Sequence, residues 1–181
     1  MTQRFLLVRH CESSGQAADA ALTERGLQQA QALAEFLAVH PIDRSVSSPY
    51  LRARSTIEPF ARRTGLPVEL CDDLVEHHLS AEPIAEWRSC VARAFEDASS
   101  RAPGGDSAAE TLARAWTGIR TALRAESRLP VVVAHGQLIS LVLQSIDARF
   151  GYAEWESLTN PDVHLVESRE GGGFAVRRIW R

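Results

Sequence analysis

Lysine is missing from this chain of 181 residues, and all twenty of its basic residues are arginine. That absence excludes Schiff-base lysine chemistry and the lysine of a phosphate-binding P-loop. Cysteine is scarce. Cys11, Cys71 and Cys90 are widely spaced and odd in number, which fits a reducing compartment better than a disulfide framework. No hydrophobic run approaches membrane length: the N-terminal one spans Phe5 to Val8, shorter than a signal-peptide core, so the expectation is a cytoplasmic protein with no membrane partner. Net positive charge is lacking as well. A formal charge of −3 argues against nonspecific nucleic-acid binding, which needs a net basic face, although a local basic pocket remains compatible with it. There is no repeat period, and the only compositional bias is toward alanine and arginine.

What is present is the balance of a globular chain, 45% apolar and 24% charged, long enough for one core of ordinary size and short for two. The expectation is one domain spanning residues 1–181. Apolar runs predict strands at Phe5 to Val8, Arg44 to Ser47, Val68 to Cys71, Val131 to Ala134, Val163 to Glu167 and Phe174 to Ile179. The last two flank Arg169-Glu170-Gly171-Gly172-Gly173, a turn suited to an antiparallel hairpin. Thr23 caps a helical pattern through Leu27, Ala30, Leu33 and Leu37, and Leu112, Trp116, Ile119 and Leu123 share another helix face. Pro103-Gly104-Gly105 within residues 98–107 marks a loop that divides the helical region 81–128. Trp87 and Trp116 read as core. Alternating strands and helices imply an α/β fold with a largely parallel sheet.

Two strand ends carry the chemistry. The first strand stops at Arg9-His10-Cys11-Glu12, and the run Val131 to Ala134 stops at His135-Gly136. In open α/β sheets ligands bind beyond the carboxyl ends of such strands, so both histidines are candidates for one site. A third element, Ser48-Pro49-Tyr50-Leu51-Arg52-Ala53, predicts a helix beginning near Pro49 with Arg52 close to its N-terminus, whose free amides favour anions. Arg9, Arg52, His10 and His135 together would form a compact cationic pocket whose natural guest is a phosphate. Adjacent His77 and His78 diverge on extended backbone and have no second ligand pair, so no metal site is expected. Cys11 reads as a small apolar filler. Asp72 and Asp73 read as capping or loop acids, and Glu12 and Glu110 are candidates for carboxylates that orient the pocket arginines.

These segments resemble the histidine phosphatase superfamily, also called the phosphoglycerate mutase-like family. Arg9-His10-Cys11-Glu12 stands where that family has Arg-His-Gly-Glu, with Cys11 in place of the usual glycine. Leu22-Thr23-Glu24-Arg25-Gly26 resembles its next helix opening, and Leu74-Val75-Glu76 the position of its acidic proton donor. Gly105-Asp106-Ser107 through Glu110, with Arg114 a turn later, is similar to its Gly-Glu-Ser segment; Ala134-His135-Gly136 matches its second-histidine motif, and Asn160 also fits. The resemblance implies a three-layer α/β/α sandwich with a mostly parallel mixed sheet. It also implies a phosphomonoesterase that needs no metal or cofactor. His10 would become a phosphohistidine, with Arg9, Arg52 and His135 holding phosphoryl oxygens and Glu76 protonating the leaving oxygen. Gln16, where many members have an asparagine, and the Gly136 amide would add phosphate contacts. The partners implied are a small phosphorylated metabolite, and inorganic phosphate or vanadate in the pocket. After Glu76 the chain reads His77-His78-Leu79-Ser80, without the glycine pattern common in the family's phosphatases. A mutase-type phosphotransferase therefore stays open as an alternative, as do, independently of that pattern, a phosphohistidine-protein phosphatase and a noncatalytic phospho-ligand module.

Overall fold

The computed structural model describes residues 3–124 and 126–180. Its elements run β1 (Arg4–Arg9), α1 (Glu24–Ala38), β2 (Arg44–Ser47), α2 (Leu51–Thr64), β3 (Val68–Leu70), a single 3₁₀ turn (Asp72–Leu74), α3 (Trp87–Glu96), α4 (Ala108–Ala122), β4 (Pro130–Ala134), α5 (Gly136–Ile146), α6 (Tyr152–Glu156), β5 (Asp162–Ser168) and β6 (Phe174–Arg178). The six strands form one sheet in the order β3-β2-β4-β1-β5-β6. The first four are mutually parallel, and β5 and β6 are antiparallel additions.

Strand alternation sorts the core into two layers. Leu6, Val8, Val131 and Val133 pack with Leu33, Leu37, Ile57 and Phe60 of α1 and α2. Their neighbours Phe5, Leu7, Val132 and Ala134 pack with Ile119, Leu138, Ile139 and Val142 of α4 and α5. A sheet buried on both faces requires runs that are apolar at every position, which is why β1 and β4 read so clearly in the sequence. The result is the expected three-layer α/β/α sandwich with a mostly parallel mixed sheet.

Several boundaries differ from the sequence expectation. Helix α2 begins at Leu51 with Tyr50 as its cap, so Pro49 lies outside it. The third strand ends at Leu70 and the sixth at Arg178. Trp116 is packed as expected, stacked on Phe174 with ring centroids 5.5 Å apart. Trp87 is not core: it is 41% exposed at the start of α3, because this short helix presents its first turn to solvent. Glu12 and Glu110 do not reach the pocket arginines. Glu12 accepts a hydrogen bond from Thr23 Oγ1 at 2.7 Å. Glu110 accepts from the Ser107 amide at 2.8 Å, closing a capping box on α4, and it pairs with Arg101.

The segment after His10 is sewn to the start of α1. Thr23 Oγ1 accepts from the Gly26 amide at 3.0 Å, while the Thr23 amide donates to the Glu12 carbonyl at 3.1 Å. This brings the Glu12 carbonyl so close to Gly26 that a Cβ there would collide with backbone. Gly26→Ala is therefore expected to cost about 1–3 kcal/mol, the usual range for overpacking. Urea unfolding checks it: a midpoint unchanged from wild type would show that α1 and the segment after His10 move apart freely.

Candidate active site

The register of the central strands explains how the site assembles. Arg9 pairs with Ala134 across the parallel β1–β4 ladder, so the next residues, His10 and His135, emerge side by side at the same sheet edge. Their rings lie 5.2 Å apart, centroid to centroid. Strand β2 flanks β4 on the other side, and its continuation delivers Ser48 and then Arg52 in the first turn of α2. Because β5 runs antiparallel and pairs Asp162 with Arg9, the loop preceding β5 reaches this edge too. There the Leu158 carbonyl accepts from Arg9 Nη1 at 3.0 Å, and Asn160 Nδ2 donates to the His10 carbonyl at 2.7 Å. The loop is held by Asp162, fully buried, which accepts from the Thr159 amide and from Arg178 Nε, both at 2.9 Å.

His10 is held for a single tautomer. Its Nδ1 lies 2.7 Å from the Cys11 carbonyl, which can only accept, so Nδ1 carries the proton and Nε2 keeps its lone pair. Arg52 Nε approaches that Nε2 at 3.2 Å. Burial lowers the imidazole pKa to about 3, with the Arg52 and Arg9 charges adding to the effect and the Cys11 hydrogen bond opposing it. The ring is therefore neutral at physiological pH. Cys11 itself is buried in the core between β1 and α1, its amide donating to Thr56 Oγ1 at 2.8 Å. Burial raises its thiol to about 12, in keeping with a filler role.

Arg52 has no exposed surface. Its Nη1 donates to the carbonyls of Gln16 and Ala17 at 3.0 and 2.8 Å, and its guanidinium lies 5.0 Å from the Tyr50 ring centroid. Gln16 thus enters the site through its main chain, and its side chain is exposed. Desolvation lowers the pKa of both Arg52 and Arg9, opposed chiefly by the Glu76 charge. His135 is also fully buried, and its Nε2 lies 2.8 Å from Ser48 Oγ while its Nδ1 has no partner among the described residues. Burial, foremost, and the neighbouring cationic groups lower its pKa well below the ordinary value. Gly136 is needed at the start of α5: a Cβ there would stand 3.1 Å from Arg9 Nε and 3.2 Å from its guanidinium carbon.

Glu76 completes the group from the segment after β3. Its carboxylate lies on the first turn of α5, accepting from the amides of Gln137 and Leu138 at 3.2 and 3.0 Å, and from its neighbour His77 at 2.8 Å. Arg114 of α4 braces this segment from below, with Nη1 donating to the Asp73 and Val75 carbonyls at 3.0 and 2.7 Å. His77 is buried against Thr111, 2.8 Å from Nδ1 to Oγ1, whereas His78 is exposed. The sequence therefore named the charged groups that converge here. It did not reveal Ser48 as the partner of His135, the Leu158 carbonyl or the bracing role of Arg114. Main-chain acceptors carry no residue signature, and only the fold reveals them.

The lowered histidines have a consequence for stability. Between about 6.5, the ordinary imidazole value, and about 3 for His10, the unfolded chain takes up a proton that the native chain does not. Stability then falls as pH falls through that window, by up to about 1.4 kcal/mol per pH unit for one such group. His10→Asn is expected to flatten the decline measured by urea unfolding between about pH 7 and pH 5. Parallel curves for wild type and variant would contradict it.

Comparison with known proteins agrees with this geometry. A bifunctional protein of Mycobacterium tuberculosis is 30% identical over 194 aligned positions, which take in 97% of this chain and 53% of that protein. The chain thus spans about half the length of the curated relatives it matches. The solved structure of a mycobacterial glucosyl-3-phosphoglycerate phosphatase superposes with a TM-score of 0.79 at 26% identity, covering 99% of each chain. The same enzyme solved with inorganic phosphate gives 0.77 at 27% identity, covering 98% of this chain and 96% of that one. A putative α-ribazole-5′-phosphate phosphatase of Escherichia coli shares the fold, with a TM-score of 0.75 at 20% identity over 99% of this chain and 96% of that one. By its match over residues 5–180, the chain belongs to the histidine phosphatase superfamily (branch 1).

Proposed function

We propose that this protein is a metal-independent phosphomonoesterase that works through a phosphohistidine on His10. The observation that carries this reading is the state of His10. It is a neutral imidazole whose Nδ1 proton is held by the Cys11 carbonyl and whose Nε2 lone pair faces Arg52. Such a ring is a competent nucleophile without a separate base.

Nε2 attacks phosphorus, the P–O bond to the alcohol breaks, and the departing oxygen takes a proton from Glu76, which acts in this step as the carboxylic acid and is left as the carboxylate. The Arg52 donor that rests on Nε2 passes to a phosphoryl oxygen as phosphorus takes its place. Arg9 Nε, buried without a partner among the described residues, is a second donor, the Gly136 amide a third, and Gln16 acts chiefly by holding Arg52. Since the His135 ring is bound through Nε2 to Ser48, Nδ1 is the atom left to meet a phosphoryl oxygen. Water then attacks phosphorus, Glu76 recovers a proton from it, the N–P bond breaks and inorganic phosphate leaves. Phosphoryl transfer is mainly positioning and neutralisation of charge on the equatorial oxygens. The two arginines supply the positive charge that a metal ion supplies elsewhere. The substrate is a small phosphorylated metabolite, and phosphate and vanadate are inhibitors. The familiar pattern of the neighbouring enzymes, phosphatases by name, favours hydrolysis over phosphate return to an acceptor.

Leaving-group dependence tests the assignment of Glu76. Nitrophenolate departs without a proton, whereas an alkoxide needs one in the transition state. With EDTA present throughout, wild type is expected to release phosphate from both p-nitrophenyl phosphate and an alkyl phosphate. Glu76→Gln should slow the alkyl ester by about 10²–10⁴-fold and the aryl ester far less. Equal losses on the two esters would make Glu76 a brace for α5, and loss of all activity in EDTA, restored by a divalent ion, would end the metal-free mechanism.

A further inference from the structure

A second cluster of donors takes no part in the chemistry above. It surrounds a cavity of about 40 Å³ whose walls include Cys90 and Arg93 of α3, Ser100, Arg101 and Asp106 of the loop that follows, and His77. That volume has room for about three water molecules, or for one small oxyanion. None of Arg9, His10, Arg52, Glu76 and His135 lines it. Main-chain pairing closes one side. The Asp106 amide donates to the His78 carbonyl at 2.7 Å and the Ala81 amide to the Pro103 carbonyl at 3.2 Å, which zips the loop to the segment after Glu76.

His77 presents a donor to this cavity. It is only 7% exposed, and its Nδ1 lies 2.8 Å from Thr111 Oγ1. Thr56 and Thr117 return their hydroxyl protons to the carbonyl four residues back. Thr111, fully buried, makes no such bond among the described residues. A buried hydroxyl must place its proton on an acceptor, and the acceptor Thr111 has is His77 Nδ1. Burial, foremost, lowers the His77 pKa, so the ring is neutral and carries a single proton, which sits on Nε2. That N–H has no partner among the described residues, and the ring lines the cavity.

The wall around that donor is cationic. Arg93 has no ion pair among the described residues, and Arg101 meets Glu110 at 2.9 Å across half-exposed surface, a contact worth little in water. Asp106, the one acid on the lining, faces Arg114 at 3.6 Å. Guanidinium groups bind phosphate through paired N–H donors, and two of them disfavour a cation. We propose that this cavity is a second anion site, separate from the catalytic pocket, which takes free inorganic phosphate between the Arg93 and Arg101 guanidiniums and the His77 Nε2–H. A phosphate group on a larger molecule has the same chemistry, and the small volume decides for the free ion. Calling that ion the reaction's own product rests on the phosphatase reading. The His77 amide donates to Glu76 Oε1 at 2.8 Å, so one residue joins this site to the proposed proton donor.

The test counts bound phosphate by equilibrium dialysis of the radiolabelled ion at millimolar concentration and matched ionic strength. It also follows alkylation of Cys90 by iodoacetamide, read by peptide mass spectrometry with Cys71, outside the cavity, as the reference. Wild type is expected to bind two phosphates per chain, one in the catalytic pocket and one here, and Arg93→Gln, a change at an exposed side chain, only one. Phosphate at about ten times its dissociation constant should slow Cys90 alkylation about tenfold in wild type and leave it unchanged in Arg93→Gln. Phenylphosphonate, which carries the same group on a ring, should leave Cys90 reactive. One phosphate in wild type and variant alike, or two in wild type with Cys90 unprotected, overturns the site, and dialysis alone decides if Cys90 does not react. Equal protection by phenylphosphonate overturns the assignment to the free ion. One phosphate in wild type and none in Arg93→Gln keeps this site and removes the catalytic pocket as a phosphate site, and the phosphatase reading with it.

Discussion

A guanidinium with no exposed surface, set against an imidazole that must stay neutral, is the constraint around which this structure is arranged. Arg52 cannot lose its proton, and a buried cation without partners is among the most costly features a fold can contain. Three compensations surround it: the carbonyls of Gln16 and Ala17, the face of Tyr50 and the charge of Glu76. Each fixes a different part of the chain. The carbonyls tie down the segment between β1 and α1, Tyr50 fixes the entry to α2, and Glu76 anchors the segment after β3 to the first turn of α5. Burial, foremost, and the cationic surroundings keep His10 unprotonated, so the features that make the site costly to fold also make its imidazole nucleophilic.

Sheet topology is what makes such a concentration of charge possible. Three adjacent parallel strands, β2, β4 and β1, end at one edge and deliver Ser48, His135 and His10 there. The reversal at β5 brings a loop to the same edge, where Leu158 and Asn160 supply an acceptor for Arg9 and a donor to His10. An all-parallel neighbour in that place would offer the opposite end of its connection. Burying Asp162 against Arg178 is therefore part of the site's construction, because it fixes the turn from which those contacts come.

The sequence made the charged half of this arrangement legible. Strands β1 and β4 carry the unbroken apolar runs Phe5–Val8 and Val131–Ala134, and each strand is followed directly by a histidine; a strand end is where an α/β sheet binds its ligand. Arg52 was legible from its place just inside a helix N-terminus. The place of Glu110 has a signal of its own: Ser107 and Glu110 have the spacing of a capping box, and the structure uses the pair that way. The exposure of Trp87 is not legible, because apolar spacing cannot tell which turn of a short helix faces solvent. The carbonyls of Cys11, Gln16, Ala17 and Leu158 were not legible at all, since any residue can supply a carbonyl.

The atom that takes the phosphoryl group is the most direct test of a His10 nucleophile. Rapid quench of the protein during turnover of p-nitrophenyl phosphate, followed by peptide mass spectrometry under alkaline conditions that preserve phosphoramidates, locates it directly. An acid-labile phosphate is expected on His10, absent in His10→Asn. A phosphate on His135, on a serine or on a cysteine, or turnover in His10→Asn at the wild-type rate, would contradict it.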